Sequence, residues 1–383
     1  MTGFDADVAV VGLGAFGSQA LWRLAARGLD VIGFERHGIG HDQGSSHGQT
    51  RLFRLACREQ VQLGQLAGMS RDLFRELETE TGASLLDQTG GLIVGQPDGS
   101  LVTGTMKTVE ANGLDVEVLT ADEVIERFPQ HHTLDRRAVG VLDPNAGVLR
   151  PEAAVTAACS AASSAGATIF DRTTVRSIDV TGSGVTVETA LRSFRVEQVV
   201  VTAGAWLGLL APELPLQPRR LPMLWFAPRD DVPSSEFDLA QFPPFYREVA
   251  EGHQLWGHGR LDGMQVKVGP NGDPTRDRST HPDRVDRGTT PDDWRYVVSM
   301  LTTALPGLAT TPSRVLPCMA TFTPDEQFVV GRVGGSKLLV GGGDSAHGFK
   351  HSAAVGEVLA AATTGEAEPL DVAFMDPNRF QGR

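Results

Sequence analysis

The segment from Asp7 to Glu35 constrains the fold of this chain more than any other. Its sequence GLGAFG places Gly12, Gly14 and Gly17 in the G-x-G-x-x-G spacing, between the apolar run DVAVVG and an amphipathic stretch. The first glycine of such a motif permits a tight turn, the second lets the backbone approach a pyrophosphate, and the third lets the helix pack closely on the sheet. A second apolar run, LDVIGFE, ends at Glu35, the position from which a carboxylate binds ribose hydroxyls. The segment therefore predicts a βαβ unit that binds a dinucleotide.

The motif does not distinguish FAD from NAD(P), although the carboxylate of Glu35 would repel a 2′-phosphate. Three alternatives therefore stay open at this point. The chain could be a flavoenzyme, an NAD-dependent reductase on a Rossmann fold, or a nucleotide-binding module without catalysis. A glycine-rich contact between helix and strand that binds nothing is the structural alternative.

Composition excludes several classes of protein. The net charge of −13 argues against a nucleic-acid-binding protein, whose binding face would be basic. No apolar run approaches the ~20 residues of a membrane helix, and no basic segment precedes the first apolar run as in a secretory signal. The three cysteines Cys57, Cys159 and Cys318 are too scattered for a disulfide framework or a metal site. We therefore expect a cytoplasmic protein that binds neither nucleic acid, membrane nor metal.

The distribution of apolar runs predicts an α/β (α+β) fold with two domains. Helical patterns at 64–81 and 151–166 and strand-like runs at 90–95 and 198–206 accompany the βαβ unit, and a strand, glycine-rich turn and helix return after residue 336. Between Pro215 and Pro324, short strand-like runs alternate with turns, which is typical of an antiparallel sheet. The polar stretch 271–292 is interpreted as a long surface loop. The nucleotide domain is thus interrupted by an inserted sheet domain.

Several further motifs occur in a fixed order along the chain: GSSHGQTRLFR (44–54), DPNAGVL (143–149), VVVTAGAW (199–206), VKVG (266–269), PCM (317–319) and AHGFKHSAAVGE (346–357). With DVAVVGLGAFG, they resemble the monomeric sarcosine oxidase and N-methyltryptophan oxidase family, within the D-amino-acid-oxidase-like flavoproteins. The resemblance implies a Rossmann-like FAD-binding domain similar to that of p-hydroxybenzoate hydroxylase. We expect this domain at 1–84, 150–217 and 322–383, and the substrate domain at 85–149 and 218–321.

The resemblance also implies an activity. Members of this family oxidise the secondary amine of an amino acid to an imine, and O₂ takes the electrons to give H₂O₂. The expected partners are therefore a small amine that carries a carboxylate, and O₂; a monomer is expected. A flavin dehydrogenase that passes electrons to a carrier is the alternative within the flavoenzymes.

Five cationic side chains acquire roles from the resemblance. Arg54 and Lys350 match the pair that binds the substrate carboxylate, which a planar guanidinium holds through parallel hydrogen bonds. Arg51 matches a residue against the flavin ring, and His47 matches one that shapes the site. Lys267 matches a lysine near flavin N5, where a cation stabilises the charge that develops on O₂. The structural alternatives are surface salt bridges for the two arginines and a solvent-facing strand position for the lysine.

Cys318 matches the cysteine that is joined to the 8α carbon of the flavin in this family. The covalent 8α-S-cysteinyl link needs a thiolate, and we expect Arg51 and Arg54 to favour it. The alternative is an ordinary buried cysteine. Glycines Gly342, Gly343 and Gly348 would let the backbone approach the ring, and a helix that begins near Lys350 would direct its positive end at the flavin.

The sequence departs from the family at three positions of the pocket wall. Ala320 and Trp256 replace tyrosines, and Asn271 replaces a histidine. The residues predicted to bind the substrate carboxylate and the flavin are retained. We therefore expect the family's reaction, whereas the identity of the substrate stays open. Sarcosine, a cyclic imino acid and a larger N-alkyl amino acid are the candidates.

Overall fold

The computed structural model describes residues 3–273 and 278–380. The helices are α1 (Ala15–Ala26), α2 (Gln62–Thr81), α3 (Ser100–Asn112), α4 (Ala121–Arg127), α5 (Pro151–Ser164), α6 (Leu207–Leu210), α7 (Arg295–Ala304) and α8 (Ser352–Thr364). The strands are β1 (Ala6–Val11), β2 (Val31–Phe34), β3 (Arg51–Phe53), β4 (Leu86–Gln88), β5 (Gly91–Gly95), β6 (Glu117–Thr120), β7 (Val139–Asp143), β8 (Gly147–Leu149), β9 (Thr168–Phe170), β10 (Val175–Thr181), β11 (Gly184–Thr189), β12 (Ser193–Val201), β13 (Gln217–Phe226), β14 (Phe245–Ala250), β15 (His253–His258), β16 (Val266–Pro270), β17 (Arg314–Phe322), β18 (Val329–Arg332) and β19 (Leu338–Gly342).

The first sheet contains the predicted βαβ unit. Strands β9, β2, β1, β12 and β19 are parallel neighbours in that order. The antiparallel strand β18 lies outside β19, and β11 with β10 extends the sheet beside the first half of β12. The β1 register, Val8 opposite Val31 and Ala6 opposite Val196, confirms that the nucleotide unit is completed by a strand from the middle of the chain.

Helix α1 is buried because both its flanks pack on other helices. It contacts α5 and α8, and α2 packs in turn against α8 and α5. Residues Ala20, Leu21 and Leu24 have no exposed surface, as the periodicity predicts. Gly28 follows the end of α1 with φ of 78°, a conformation that favours glycine and stops the helix.

The second sheet runs in the order β17, β13, β16, β15, β14, β5, β7 and β6. Its pairs are antiparallel as predicted, with one exception: β14 and β5 are parallel, with Phe245 opposite Leu92. This pair joins the two chain segments expected to form the substrate domain. A core rich in phenylalanine, including Phe237 and Phe242, lies against α7 beneath it.

A small third sheet, β3–β8–β4, carries the segment of Arg51 to Arg54. Strand β3 belongs to the predicted FAD segment 1–84, whereas β4 and β8 belong to 85–149, so the sheet spans that predicted boundary. The backbone after Arg54 is held by Asp143 Oδ2, which accepts from the amides of Leu55 and Ala56 at 3.1 and 3.2 Å. The third sheet thus fixes this segment between the other two.

Two irregular segments agree with their predictions within the described residues. The run 198–206 is a strand to Val201 that ends in a turn, where Gly204–Trp206 is a 3₁₀ turn. Part of the predicted loop 271–292, residues 274–277, lies outside the described residues. The remainder is anchored, since Arg278 forms ion pairs with Asp273 at 2.7 Å and with Asp293 at 3.2 Å.

Candidate active site

A cavity of about 590 Å³ extends from the glycine-rich turn after β1 to the ends of β3, β17 and β19. Twelve of the residues singled out from the sequence line it: Gly12, Gly14, Glu35, Arg51, Arg54, Trp256, Cys318, Ala320, Gly342, Gly343, Gly348 and Lys350. Among the described residues, four others singled out from the sequence are not part of the lining: Gly17, His47, Lys267 and Asn271. Residues from the first and second sheets thus meet around one space.

The turn after β1 requires glycine for steric reasons. Gly12 has φ of 89°, and a Cβ there would lie 2.8 Å from Thr202 O. A Cβ at Gly17 would lie 1.9 Å from Gly12 O and 2.3 Å from Thr202 Oγ1. Gly14 is less crowded, with Ser46 Oγ at 3.3 Å from the added atom. Helix α1 therefore packs against the turn at Gly17, while Gly14 borders the cavity.

Glu35 lies at the end of β2 on the cavity wall and is almost fully buried. Its Oε2 accepts from Leu13 N at 2.9 Å, and its Oε1 accepts from His37 N at 2.8 Å and lies 3.2 Å from His41 Nε2. Burial works to raise the pKa of this carboxyl, but hydrogen bonds from His41, His37 and Leu13 outweigh it and lower the pKa. Glu35 is therefore an ionised hydrogen-bond acceptor in the part of the cavity where the nucleotide would bind.

The chemistry of the lining residues fits FAD. The glycine turn leads into the N-terminus of α1, where phosphates are favoured by unpaired N–H groups and the helix dipole. Gly343 has φ of 62°, and a Cβ at Gly342 would lie 2.4 Å from Leu207 Cδ2, so the backbone itself forms the wall there. Glu35 and the turn would hold the adenosine diphosphate, and the segments of Arg51 and Gly342 would border the flavin.

Arg51 and Cys318 lie side by side in the cavity wall. Arg51 Nη2 donates to Ser45 O at 2.6 Å and lies 3.9 Å from Cys318 Sγ, while Nη1 donates to Thr50 O at 2.7 Å. Burial raises the pKa of the Cys318 thiol, and the nearby charges of Arg51 and Lys267 lower it in part. Lys267, rather than the expected Arg54, is therefore the second cation beside this thiol.

Lys267 is buried behind the segment of residues 44–54. Its Nζ donates to Gly48 O at 3.1 Å and to Thr50 O at 2.9 Å, and lies 4.9 Å from the centre of the Trp225 ring. Only 1% of the residue is exposed, which contradicts the alternative of a solvent-facing lysine. Burial and then the charge of Arg51 hold the pKa of Lys267 well below its ordinary value.

His47 and Asn271 lie outside the cavity lining. Both ring nitrogens of His47 are buried without a hydrogen-bond partner in the described chain. Burial and the charge of Arg51 lower the pKa of His47 to about 3, so the imidazole is neutral near pH 7. Asn271 Nδ2 donates to Gln254 Oε1 at 3.2 Å, so this side chain joins the end of β16 to the start of the neighbouring strand β15.

Arg54 lies at the end of the cavity that is also lined by Glu59, Tyr246 and Lys350, and it contacts two groups. Its Nη2 donates to the Glu59 carboxylate in a short ion pair, and its guanidinium carbon lies 4.8 Å from the centre of the Tyr246 ring. Burial works to raise the pKa of Glu59, but Arg54 and Lys350 lower it well below its ordinary value. The alternative of a surface salt bridge is thus contradicted for Arg54, whose side chain is 8% exposed.

Lys350 completes this end of the cavity from the turn before α8. Residues Phe349–His351 form one 3₁₀ turn, and Lys350 Nζ donates to His347 O at 2.9 Å. Trp256 Nε1 donates to Pro270 O at 3.0 Å, and the indole packs on Gly269, where a Cβ would lie 2.4 Å from the ring. At the two positions where the resemblance implies tyrosine, Trp256 is therefore a larger side chain in the cavity wall and the buried Ala320 is a smaller one.

Sequence reasoning missed three lining residues: Glu59, Tyr246 and Asp344. Asp344 Oδ1 accepts from Thr321 N at 3.3 Å, and burial raises the pKa of its carboxyl. The sequence carried a signal for Tyr246, since it faces Trp256 across the β14–β15 hairpin around Gly252. For Glu59, the only signal in the sequence was the presence of an acidic residue five positions after Arg54.

In residues 3–273 and 278–380, no group of three or more His, Cys, Asp and Glu side chains is placed to hold a metal ion. In the same residues, every helix is too short or too polar to cross a bilayer.

Comparison with known proteins gives a family match over most of the chain. The model of the DAO family, described as FAD dependent oxidoreductase, matches residues 7–362. Monomeric sarcosine oxidase of Streptomyces avermitilis is 33% identical over 382 residues, which cover 98% of this chain and 97% of that protein. N-methyl-L-tryptophan oxidase of Citrobacter koseri is 28% identical over 376 residues, 98% of this chain and 99% of that protein.

Solved structures agree with the fold. The open form of NikD, an amino acid oxidase of nikkomycin biosynthesis, superimposes with a TM-score of 0.82 at 24% identity, over 97% of both chains. L-proline dehydrogenase from P. horikoshii gives a TM-score of 0.81 at 23% identity, over 98% of both chains. At these identities the likeness concerns the fold alone.

Proposed function

The chain belongs to the DAO family of FAD-dependent oxidoreductases, and from this premise we propose that it is an oxidase of a secondary amine that carries a carboxylate. In the proposed reaction the substrate carbon loses a hydride and its nitrogen a proton, which leaves an imine that water hydrolyses. Bound FAD supplies the acceptor of the two electrons, and O₂ finally takes them with two protons to form H₂O₂. Family membership favours this over an NAD-dependent reductase or a module without catalysis.

The observation that carries the proposal is the charge around Arg54. Arg54 and Lys350 are buried cations in one wall of the cavity, and Glu59 is the carboxylate between them. Arg58 is a third cation near Glu59, so positive charge exceeds negative charge around this carboxylate, and an unpaired buried charge is costly. A substrate carboxylate would balance it, and a guanidinium with free N–H groups would hold that carboxylate in a fixed orientation.

The reacting amine has its own requirement, because only an uncharged nitrogen can support loss of a hydride from the neighbouring carbon. Trp256 and Ala320 form the apolar part of the wall, which disfavours the ammonium form of a bound amine. The space beside Ala320, where the family carries tyrosine, suits a cyclic imino acid or an N-alkyl amino acid larger than sarcosine.

We further propose that FAD is joined through its 8α carbon to Cys318 and that Lys267 promotes the reaction with O₂. The Cys318 proposal rests on the neighbouring Arg51 and on the position of the thiol in the lining. The Lys267 proposal rests on a buried lysine whose Nζ hydrogen-bonds to Gly48 O and Thr50 O, in the segment that also carries Arg51. A monomer and a cytoplasmic location stay predictions from the sequence.

The test is a substrate panel with two readouts, H₂O₂ formed and O₂ consumed. Sarcosine, L-proline, pipecolate and N-methyl-L-tryptophan would be compared with the amide of each. We expect turnover of at least one acid, with one H₂O₂ for each substrate oxidised, and little turnover of its amide. Turnover that needs an added electron carrier in air would instead identify a dehydrogenase.

A further inference from the structure

Arg54 is oriented by contacts from two different parts of the fold. Within its own segment, Nη2 donates to Glu59 and Nη1 donates to Ala56 O at 3.4 Å. From the second sheet, the Tyr246 ring lies 4.8 Å from the guanidinium carbon. The first two contacts are to the edges of the planar group, whereas an aromatic ring at this distance interacts with the cation as a whole.

Tyr246 is the rigid member of this group. It lies within β14, with Ile93 of β5 opposite on one side and Trp256 of β15 opposite on the other. Glu59 and Ala56, by contrast, belong to the irregular segment between β3 and α2. Contact with Tyr246 therefore fixes the position of the Arg54 guanidinium relative to the second sheet.

A second guanidinium approaches the same ring. The Arg58 guanidinium carbon lies 5.5 Å from the Tyr246 centroid, so two like charges share one aromatic side chain. The ring attracts the nearer guanidinium, that of Arg54, whereas Arg58 also forms a hydrogen bond with the Tyr246 hydroxyl. Burial raises the pKa of the Tyr246 hydroxyl, so the ring acts as a neutral group.

We propose that Tyr246 is a positioning residue: its aromatic ring holds the Arg54 guanidinium in the orientation that receives the substrate carboxylate. The inference rests on the proposed function, because it assumes that Arg54 binds a carboxylate. It assigns the effect to the aromatic ring and none to the hydroxyl group. Trp256, opposite in the hairpin, continues the same aromatic wall toward the substrate.

The test compares Tyr246→Phe, which keeps the ring, with Tyr246→Leu, which removes it. Calorimetry on the holoenzyme would measure the Kd of propionate and of propionamide, a matched pair that differs in charge and undergoes no oxidation. We expect Tyr246→Leu to raise the propionate Kd by on the order of tenfold and the propionamide Kd by less than about twofold, and Tyr246→Phe to change neither beyond about twofold. With an oxidised amino acid, KM should rise in Tyr246→Leu while kcat changes little.

Tyr296, the other tyrosine of the chain, provides the matched control. It lies on α7, where its hydroxyl contacts His253 Nδ1 at 2.8 Å, and Tyr296→Leu should leave both Kd values unchanged. If Tyr246→Leu fails to fold, Tyr246→Met removes the ring while filling similar space and should show the same loss. Equal propionate affinity in the wild type, Tyr246→Phe and a folded variant without the ring would overturn the inference. A wild type that binds propionate no better than propionamide would instead overturn the proposed carboxylate site.

Discussion

Arg51 Nη2 lies 3.9 Å from Cys318 Sγ, although the two residues belong to different sheets. Arg51 begins β3 and Cys318 lies within β17, so the contact exists only when the second sheet is docked on the segment of residues 44–54. A guanidinium beside a thiol favours the thiolate, which is the nucleophilic form. The effect of Arg51 on the pKa of the Cys318 thiol therefore depends on complete folding.

The first prediction concerns attachment of the flavin. After acid precipitation of the wild type, the flavin absorbance should stay with the protein pellet, whereas Cys318→Ala should release it. Flavin found free in the wild-type supernatant would exclude the covalent link.

The second prediction gives the pH dependence of that attachment. Because burial raises the pKa of Cys318, the thiolate fraction and the rate of incorporation of FAD into apoprotein should rise with pH across the neutral range. Arg51→Met removes a charge that lowers the pKa, so its rate profile should move to higher pH. Fluorescence of FAD bound to the denatured protein measures the rate. Superimposable profiles for the two proteins would contradict the role of Arg51.

The third prediction separates two half-reactions. Lys267→Met should slow reoxidation of the reduced enzyme by O₂ by roughly 10²–10³, since one preplaced donor or charge is worth about 3–4 kcal/mol where negative charge develops. Anaerobic reduction by substrate should change far less. Arg314 also lies 4.9 Å from the Trp225 ring but on the exposed side, so Arg314→Met is the matched control in stopped-flow traces. Unchanged reoxidation in Lys267→Met would remove the lysine from this role.

The fourth prediction concerns Arg54 and the substrate carboxylate. Arg54→Met should raise the Kd of a carboxylate ligand between about tenfold and a few hundredfold, since a charged hydrogen bond is worth about 1.5–3 kcal/mol. Replacing the ligand carboxylate by an amide should weaken binding to the wild type similarly and affect the variant much less. Such non-additivity marks two groups in one contact. Additive losses would show that Arg54 and the carboxylate do not meet.

The fifth prediction concerns the contribution of the buried Glu59 carboxylate to the stability of the folded protein. The pKa of Glu59 lies well below its ordinary value, so the folded state gains stability from its ionised form. This contribution is complete above the unfolded-state pKa near 4 and is lost as pH falls through the lower folded-state value. Glu59→Gln should therefore lower the free energy of unfolding at pH 7 by about 1–3 kcal/mol and by less in acid. Urea titrations at a series of pH values measure both, and an equal loss at every pH would contradict the assignment.

The amino-acid sequence was sufficient for features whose information is local. The glycine turn, Glu35 and the helix α1 lie within thirty consecutive residues, and each glycine has its own steric requirement. The family motifs around Arg51, Cys318 and Lys350 were likewise enough to predict residues that share one cavity. Apolar runs also predicted four of the eight strands of the second sheet, namely β5, β13, β15 and β16.

What the sequence did not predict depends on pairing between distant segments. The parallel pair β14–β5 has no local signature, and through it Tyr246 reaches Arg54. The hydrogen bonds of Lys267 to Gly48 and Thr50 likewise have no local signature, because they exist only where β16 passes behind that segment. Glu59 was missed for a different reason: a carboxylate among basic residues is normally a surface group, and here burial is compensated by Arg54 and Lys350.

The register of the first sheet has a consequence for biosynthesis. The glycine motif is translated first, yet Ala6 pairs with Val196, and Val201 in turn pairs with Val340. A nascent chain that has exposed only its βαβ unit lacks the central neighbour of β1, and it also lacks Cys318 and Lys350. A complete cofactor cavity therefore requires synthesis of the chain through Lys350, and the wait for β12 and β19 makes formation of this sheet slow relative to local helix formation. Uptake of FAD would then follow the synthesis of both domains instead of accompanying that of the glycine motif.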